Sequence, residues 1–542
     1  MRACPFAEAT AYGMLAAVAA REGDREAIAF DDEHITFAAL LARVDAFAAG
    51  LAALGLATGD RLGIWLPNRP LWYVAQLACA RLGVVVVALN PRYRAHELTY
   101  ILGQSRATAL LVTDHLGAID YLEMLDEVMP ELAHAVPGEV ASTNLPHLRH
   151  VLVDAEDPYP GCHRVQDVLD AGEALPPDTV GPDDVFTLLY TSGTTSFPKG
   201  AMISHRNCVP HAWHCGEVLR LTAADRVLHA LPAAGTWGGV NIPLSTWSHA
   251  ACLVLMEAWD PLRALLVIER ERCTVFNAVD TMLKPLLEHP DLERYDRSSL
   301  RTGAFAAVGG GGPGMFEAVV KRLGVPLAFH PYGMTEVNAQ SLMHDLDESF
   351  EDRAEPGVTP LPGLEVRVSH PDTGQTCRPG EEGELQFRGP SVTRGYFDKP
   401  EETRAAFTDD GWFRTGDLAV QDERGRTIFK GRLKETLRIS HFMVAPGEIE
   451  AFLMSHPDVE QAFVVGIPDP VANEAPAAYV ILKPHARLTE DELRAFCRGK
   501  IASFKIPKMV RFVSDVPRTP SPHGDKVQRV KLREQALKEI GG

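Results

Sequence analysis

The chain has 542 residues, 46% hydrophobic and 23% charged, with a net charge of -19; by length and composition it is a folded protein of about three or four domains. So acidic a surface excludes nucleic acid and anionic membrane as natural partners, and no apolar run approaches the roughly 20 residues of a membrane span. Nine scattered cysteines without a C-x-x-C pair fit a reducing cytoplasm, not a disulfide framework.

From the start, YGMLAAVAA (12–20) lies between Glu8 and Arg21-Glu22, which reads as an amphipathic helix and not a signal peptide. TFAALLARVDAFAAGLAALG (36–55) places Leu40, Val44, Phe47, Leu51 and Leu54 on one helical face and ends at Gly55. RLGIWLP (61–67) and VVVVAL (84–89) are buried strands flanking a helix over 73–83. The alternation continues through ALLVT and its helix, ACLVLM and PLRALLVIERE, then CTVFNAV and TMLKPLLE. Continuous apolar strands separated by helices predict parallel sheets covered on both faces. After about residue 360, LEVRVSH, GELQFRG and GRTIFKG are short strands joined by turns. EIEAFLMSH (helix), QAFVVGI and AAYVILK (strands), TEDELRAFCRGKI (helix) and MVRFV (strand) then form a further unit.

The fold expected is therefore α/β. A large N-terminal domain over 1–432 holds two doubly wound, mostly parallel sheets and a small β-barrel subdomain at about 355–432. A small, mobile α+β domain follows over 433–542, with the charged stretch GRLKETLRI (431–439) at the junction.

Two stretches invite a ligand. SHRNCVPHAWHC (204–215) offers His205, Cys208, His211, His214 and Cys215, but at no standard zinc spacing. On a helix capped by Asn207, with Pro210 in its first turn, the five side chains fan around most of the circumference. They are expected to be packing and surface residues. YTSGTTSFPKG (190–200) follows the buried strand VFTLLY, where α/β folds place ligand loops. It is not the common phosphate loop. Counted from Gly193, Pro198 stands where the second glycine belongs and Gly200 where Ser or Thr belongs. The hydroxyls of Thr191, Ser192, Thr194 and Thr195, the N–H groups around Gly193 and the Lys199 charge nevertheless suit phosphate oxygens.

That loop, PYGMTE (331–336), FRTGD (413–417), GRLKE (431–435), VAPGEIE (444–450) and DKVQR (525–529) occur in this order. Together they resemble the adenylate-forming superfamily of acyl-CoA synthetases, peptide-synthetase adenylation domains and luciferase, over essentially the whole chain. PNRPLWYVAQLACARLGVVVVALNPRYRAHELTYIL and AFCRGKIASFKIPK look like the medium-chain fatty-acyl-CoA ligases. The resemblance implies an ATP-dependent, Mg²⁺-dependent acid–CoA ligase with a small-molecule carboxylic acid as substrate and coenzyme A as acceptor. It gives ATP phosphates to Thr191, Ser192, Gly193, Thr194, Thr195 and Lys199. Adenine goes to Gly310, Gly311, Gly312, Pro313, Tyr332 and Gly333, and ribose to Asp417 and Arg432. Thr335 meets the α-phosphate, Glu336 is the Mg²⁺ ligand, Lys526 the catalytic lysine and Lys434 the hinge. Gly235, Trp237, Asn241, Ala306 and Val337 line the acyl pocket. Arg438, Ser440 and His441 line the CoA tunnel. The resemblance also admits a homodimer.

Four departures bear on substrate and acceptor. Ser196 replaces a glycine, Gly235 a histidine and His441 a glycine, and the loop before Lys526 is long. Transfer to a carrier-protein phosphopantetheine, and a non-catalytic nucleotide- or acyl-binding relative, stay open beside the ligase.

Overall fold

The computed structural model describes the chain except residues 1, 118, 173, 192–197, 307–313, 356, 440–441, 471–472, 499, 502, 520–525 and 542, and gives the backbone alone at 438, 442, 443, 473, 503, 526 and 541. The apolar runs become the centres of two large sheets. One is seven-stranded and joins, side by side, Lys199–Ser204, Val185–Thr191, Val85–Ala88, Arg61–Trp65, Ala109–Thr113, His150–Asp154 and His163–Arg164. Every pair is parallel except the hairpin of the first two. The other, eight-stranded, is also parallel apart from its edge pair Glu26–Phe30 and Glu33–Thr36.

Helices form where the sequence repeats every three to four residues. Phe37–Ala53 is capped by the Thr36 hydroxyl, which accepts from the Ala39 N–H, and buries Leu40, Val44, Phe47 and Leu51. Pro70–Leu82 opens on proline and ends at Gly83, whose φ of 72° is left-handed. CTVFNAV does not make one strand. It splits into Val275–Phe276 and Ala278–Val279, because the side chain of Asn277 between them accepts the Ala304 N–H at 2.9 Å and takes a place in the ladder.

Two antiparallel sheets share one core in the region that leads into and includes the expected β subdomain at about 355–432. Tyr332–Met334, Ala339–Met343 and Thr359–Pro360 form the first, and Glu365–Ser369, Glu382–Arg388, Phe413–Gln421 and Thr427–Arg432 the second. Tyr332, Val337, Leu342, Leu385, Phe387 and Phe413 pack between them. From Leu437 onward the chain builds a five-stranded sheet with two apolar clusters drawn only from its own residues. An ion pair, Lys284 to Glu460 at 2.9 Å, ties this part to the large sheets. No helix among the described residues is long and apolar enough to cross a membrane.

Packing between strands of the eight-stranded sheet is tight at Gly303. A Cβ built there would lie 1.8 Å from the Phe276 carbonyl oxygen. Gly303→Ala therefore overpacks the eight-stranded sheet, at or above the upper end of the roughly 1–3 kcal/mol typical of such changes. The expected outcome is a melting temperature several degrees lower by calorimetry.

Candidate functional site

The hairpin of Val185–Thr191 and Lys199–Ser204 pairs Thr191 with Lys199 at the base of the Ser/Thr-rich loop. Ser192, Gly193, Thr194, Thr195 and Ser196 lie outside the described residues. The strand Lys199–Ser204 also holds the segment 393–397. The Phe397 N–H donates to the Gly200 carbonyl at 2.8 Å, and the Met202 N–H to the Gly395 carbonyl at 2.9 Å. This register brings Tyr396 over the loop base, and the Lys199 ammonium stands 5.2 Å from the centre of its ring.

Glu336 faces this base from the short 3₁₀ turn Thr335–Val337, which follows the strand Tyr332–Met334. It is 6% exposed. Its Oε1 accepts from the Tyr396 hydroxyl at 3.0 Å and from the Thr191 hydroxyl at 3.4 Å, and its own carbonyl accepts from the Thr393 N–H at 2.7 Å. Burial and the Glu336 carboxylate push the Tyr396 phenol up, so it stays a donor. Among the described residues Glu336 forms no ion pair. Thr335 is half-buried beside it.

The backbone here is strained. Asn338 and Ala339 both have left-handed φ, 61° and 70°, a conformation that costs non-glycine residues energy. Gly333 sits against them, and a Cβ on it would be 1.2 Å from the Ala339 carbonyl oxygen.

Asp417 lies on Phe413–Gln421, opposite Arg432 in the ladder. Its Oδ2 accepts from the Tyr332 hydroxyl at 2.6 Å. Its Oδ1 is 2.7 Å from Arg432 Nη1, an ion pair without an aligned hydrogen bond. The Tyr332 ring packs on Phe387 and Phe429. Burial raises Asp417 from the ordinary carboxylate value to about 6, opposed by Arg432 and the Tyr332 hydroxyl and reinforced by the Glu336 charge.

The other expected site residues are spread more widely. Asn241 ends a π-helical turn, Thr236–Asn241, that begins beyond Gly235 and contains Trp237. Its Nδ2 donates to Cys215 Sγ at 3.2 Å and to the Asn338 carbonyl at 3.3 Å. Val337 is fully buried, and Ala306 ends the strand Thr302–Ala306. Gly310, Gly311, Gly312 and Pro313, like Ser440 and His441, lie outside the described residues. Arg438 is described by backbone alone, paired with Met443. Lys434 is exposed in the turn Leu433–Glu435. The backbone of Lys526 pairs with Thr519.

The helix His205–Val218 corrects two expectations. Ser204, not Asn207, is its cap, and Pro210 lies inside it, not in its first turn. The Asn207 amide instead donates to the Val392 carbonyl at 3.0 Å. His205 accepts the Ala11 N–H at 3.2 Å, and Cys215 donates to the Gln340 carbonyl at 3.5 Å. His211 has no aligned hydrogen bond among the described residues on either ring nitrogen, and the backbone carbonyls of Gln340 and Asn338 lie against the ring. The sequence reading passed over two residues of this region. Tyr396 carries no motif signal, and His211 was counted as packing.

Two mostly parallel sheets, with Glu336 buried beside Thr191 at the end of a sheet strand, belong to an α/β enzyme of the adenylate-forming fold. Residues 15–397 match the AMP-binding enzyme family, and 448–522 match the AMP-binding enzyme C-terminal domain; the chain belongs to this family. It is 37% identical over 526 residues to YngI of Bacillus subtilis, named as an acyl-CoA synthetase, covering 95% of this chain and 94% of that protein. It is 35% identical over 537 residues to the mitochondrial medium-chain acyl-CoA ligase ACSF2 of Bos taurus, covering 96% and 86%. Crystalline ATP-bound MatB from Rhodopseudomonas palustris superposes with a TM-score of 0.83 at 29% identity, over 98% of this chain and all of that one.

The raised Asp417 has a consequence for stability. The folded chain holds an extra proton between the ordinary value near 3.8 and about 6, so this group's contribution to stability falls as pH rises through that window. Asp417→Asn removes the group. Its melting temperature relative to the parent should climb from pH 4 to pH 6, as read by thermal unfolding at a series of pH values.

Proposed function

We propose that the chain joins a carboxylic acid to coenzyme A at the expense of ATP. In the first step a carboxylate oxygen of the acid attacks the α-phosphorus, the α–β bridging bond breaks, and pyrophosphate leaves from an acyl-AMP. In the second the thiol loses its proton, its sulfur attacks the acyl carbonyl carbon, and AMP departs. The observation that carries the reading is the position of Glu336, buried against the base of the hydroxyl-rich loop with, among the described residues, only hydroxyl partners for its side chain.

Those surroundings suit Mg²⁺, a hard cation that takes one or two carboxylates plus phosphate oxygens and water. Glu336 would hold it, and the bound ion supplies charge neutralisation at the phosphate oxygens. Thr191 and Lys199 bracket the loop that receives the β- and γ-phosphates. Asp417 Oδ1, lacking an aligned donor, accepts a ribose hydroxyl, and Arg432 flanks it. Thr335 meets the α-phosphate. Lys526 brings positive charge to the attacked phosphorus as negative charge grows there.

The separate apolar clusters of the C-terminal residues support a boundary near 432 and rotation about Lys434 between the two steps. Arg529 steadies the far side of that turn through Glu435 at 3.1 Å. The acid is of medium-chain size, after the likeness to ACSF2. The compartment is the cytoplasm, which suits nine unpaired thiols.

Purified protein should release pyrophosphate only with ATP, Mg²⁺ and an acid, and form a thioester only when coenzyme A is added. Pyrophosphate without a CoA-dependent thioester would instead indicate a carrier-protein acceptor. Lys526→Ala should slow pyrophosphate release by about 10²-fold or more, while largely sparing thioester formation from supplied acyl-AMP. Adenylation at the parental rate would assign the catalytic role to another lysine.

A further inference from the structure

Where the helix His205–Val218, the π-helical turn Thr236–Asn241 and the strand Ala339–Met343 meet, the interior is polar. His211 is 3% exposed, Asn338 1% and Gln340 2%. Both ring nitrogens of His211, Oδ1 of Asn338 and Nε2 of Gln340 have no aligned hydrogen bond among the described residues, although the backbone carbonyls of Gln340 and Asn338 stand close enough to His211 to attract a ring N–H. They belong to one cluster. Asn241 reaches Cys215 and the Asn338 carbonyl, Cys215 reaches the Gln340 carbonyl, and the backbone carbonyls of Asn338 and Gln340 act on the His211 ring. Asn338 is two residues from Glu336, so the cluster adjoins the nucleotide side of the site.

Buried polar atoms are nearly always satisfied, and each one left bare costs about 1–3 kcal/mol. An alkyl chain laid against these atoms satisfies none of them. Burial holds His211 neutral, at about 3, so its ring offers one donor and one acceptor. Gln340 adds a donor and Asn338 an acceptor. A neutral group that both gives and accepts complements this set. A second carboxylate does not, because the cluster contains no cation to pair with it and a buried unpaired charge is expensive.

We propose that His211, with Asn338 and Gln340, selects a carboxylic acid whose acyl part carries a neutral oxygen function, a hydroxyl or a carbonyl, over the plain alkanoic acid of equal length and over the diacid. The inference rests on the acid–CoA ligase reading and names that site's substrate class. A site built to bond a hydroxyl rejects the analogue lacking it far more strongly than an apolar pocket rejects a changed methylene.

The test uses the full chain with ATP and Mg²⁺ and measures kcat/KM for pyrophosphate release. The acids are octanoate, its monohydroxy and mono-oxo positional isomers, and octanedioate. At least one oxygenated isomer should exceed octanoate by about tenfold or more, with octanedioate poorest. His211→Leu should collapse the ratio of that isomer to octanoate toward or below one, chiefly through KM. Gln340→Met, which removes a donor at similar volume, should lower the same ratio and serves if His211→Leu fails to fold. Octanoate preferred by the parent, or a ratio unmoved by both folded variants, overturns the inference and leaves the ligase intact. No pyrophosphate with any acid overturns the ligase reading and the inference together.

Discussion

The closest approach in the site is between Gly333 and the Ala339 carbonyl, where even a methyl group would leave only 1.2 Å. The contact forces the chain to double back within six residues, and it does so through left-handed Asn338 and Ala339. Everything of chemical interest nearby hangs from this fold-back. Tyr332 precedes it and grips Asp417. Glu336 stands on its turn and meets the loop base. Asn338 and Gln340 leave it toward His211. Strain of this kind persists only where the surroundings over-determine the backbone, and here antiparallel pairing on both sides does so.

The two buried carboxylates are held in different ways. Asp417 has a cation at 2.7 Å and a phenol at 2.6 Å, yet burial still raises it to about 6. Among the described residues Glu336 has only hydroxyls for its side chain. A buried carboxylate without a cation is an expensive group, and the expense is relieved by whatever positive charge arrives. In a chain of net charge -19, a bare anion would be repelled from such a place, and the proposed Mg²⁺ would offset that repulsion.

Much of this was legible in the sequence because it is local. Apolar runs of four to seven residues became sheet strands, and capped periodic stretches became helices within a few residues of the expected bounds. Glu336 and Asp417 stand out in the sequence through motif order alone; that both are buried follows from the structure. What could not be read depends on contacts across long stretches of chain. Tyr396 reaches Glu336 only because 393–397 pairs with Lys199–Ser204, nearly two hundred residues earlier. His211 looked like one of five candidate metal ligands. Counting positions around a helix argues against a metal but cannot reveal that neither ring nitrogen makes an aligned hydrogen bond, since that depends on residues beyond 335. Asn277, which splits an apparently continuous strand, acts through a bond to Ala304 that no local pattern announces.

The fold-back at Gly333 also bears on how such an enzyme changes its diet. In the proposed reading, one short hairpin carries Glu336 for the nucleotide and Asn338 and Gln340 for the acid, so a substitution there would perturb both partners of the reaction at once. In that reading only the acid is assigned to the helix 205–218 and the turn 236–241. Mutational routes to a new acid, in nature or in the laboratory, therefore run through those two elements, with the hairpin kept as the fixed jaw of a vice whose other jaw is free to be recut.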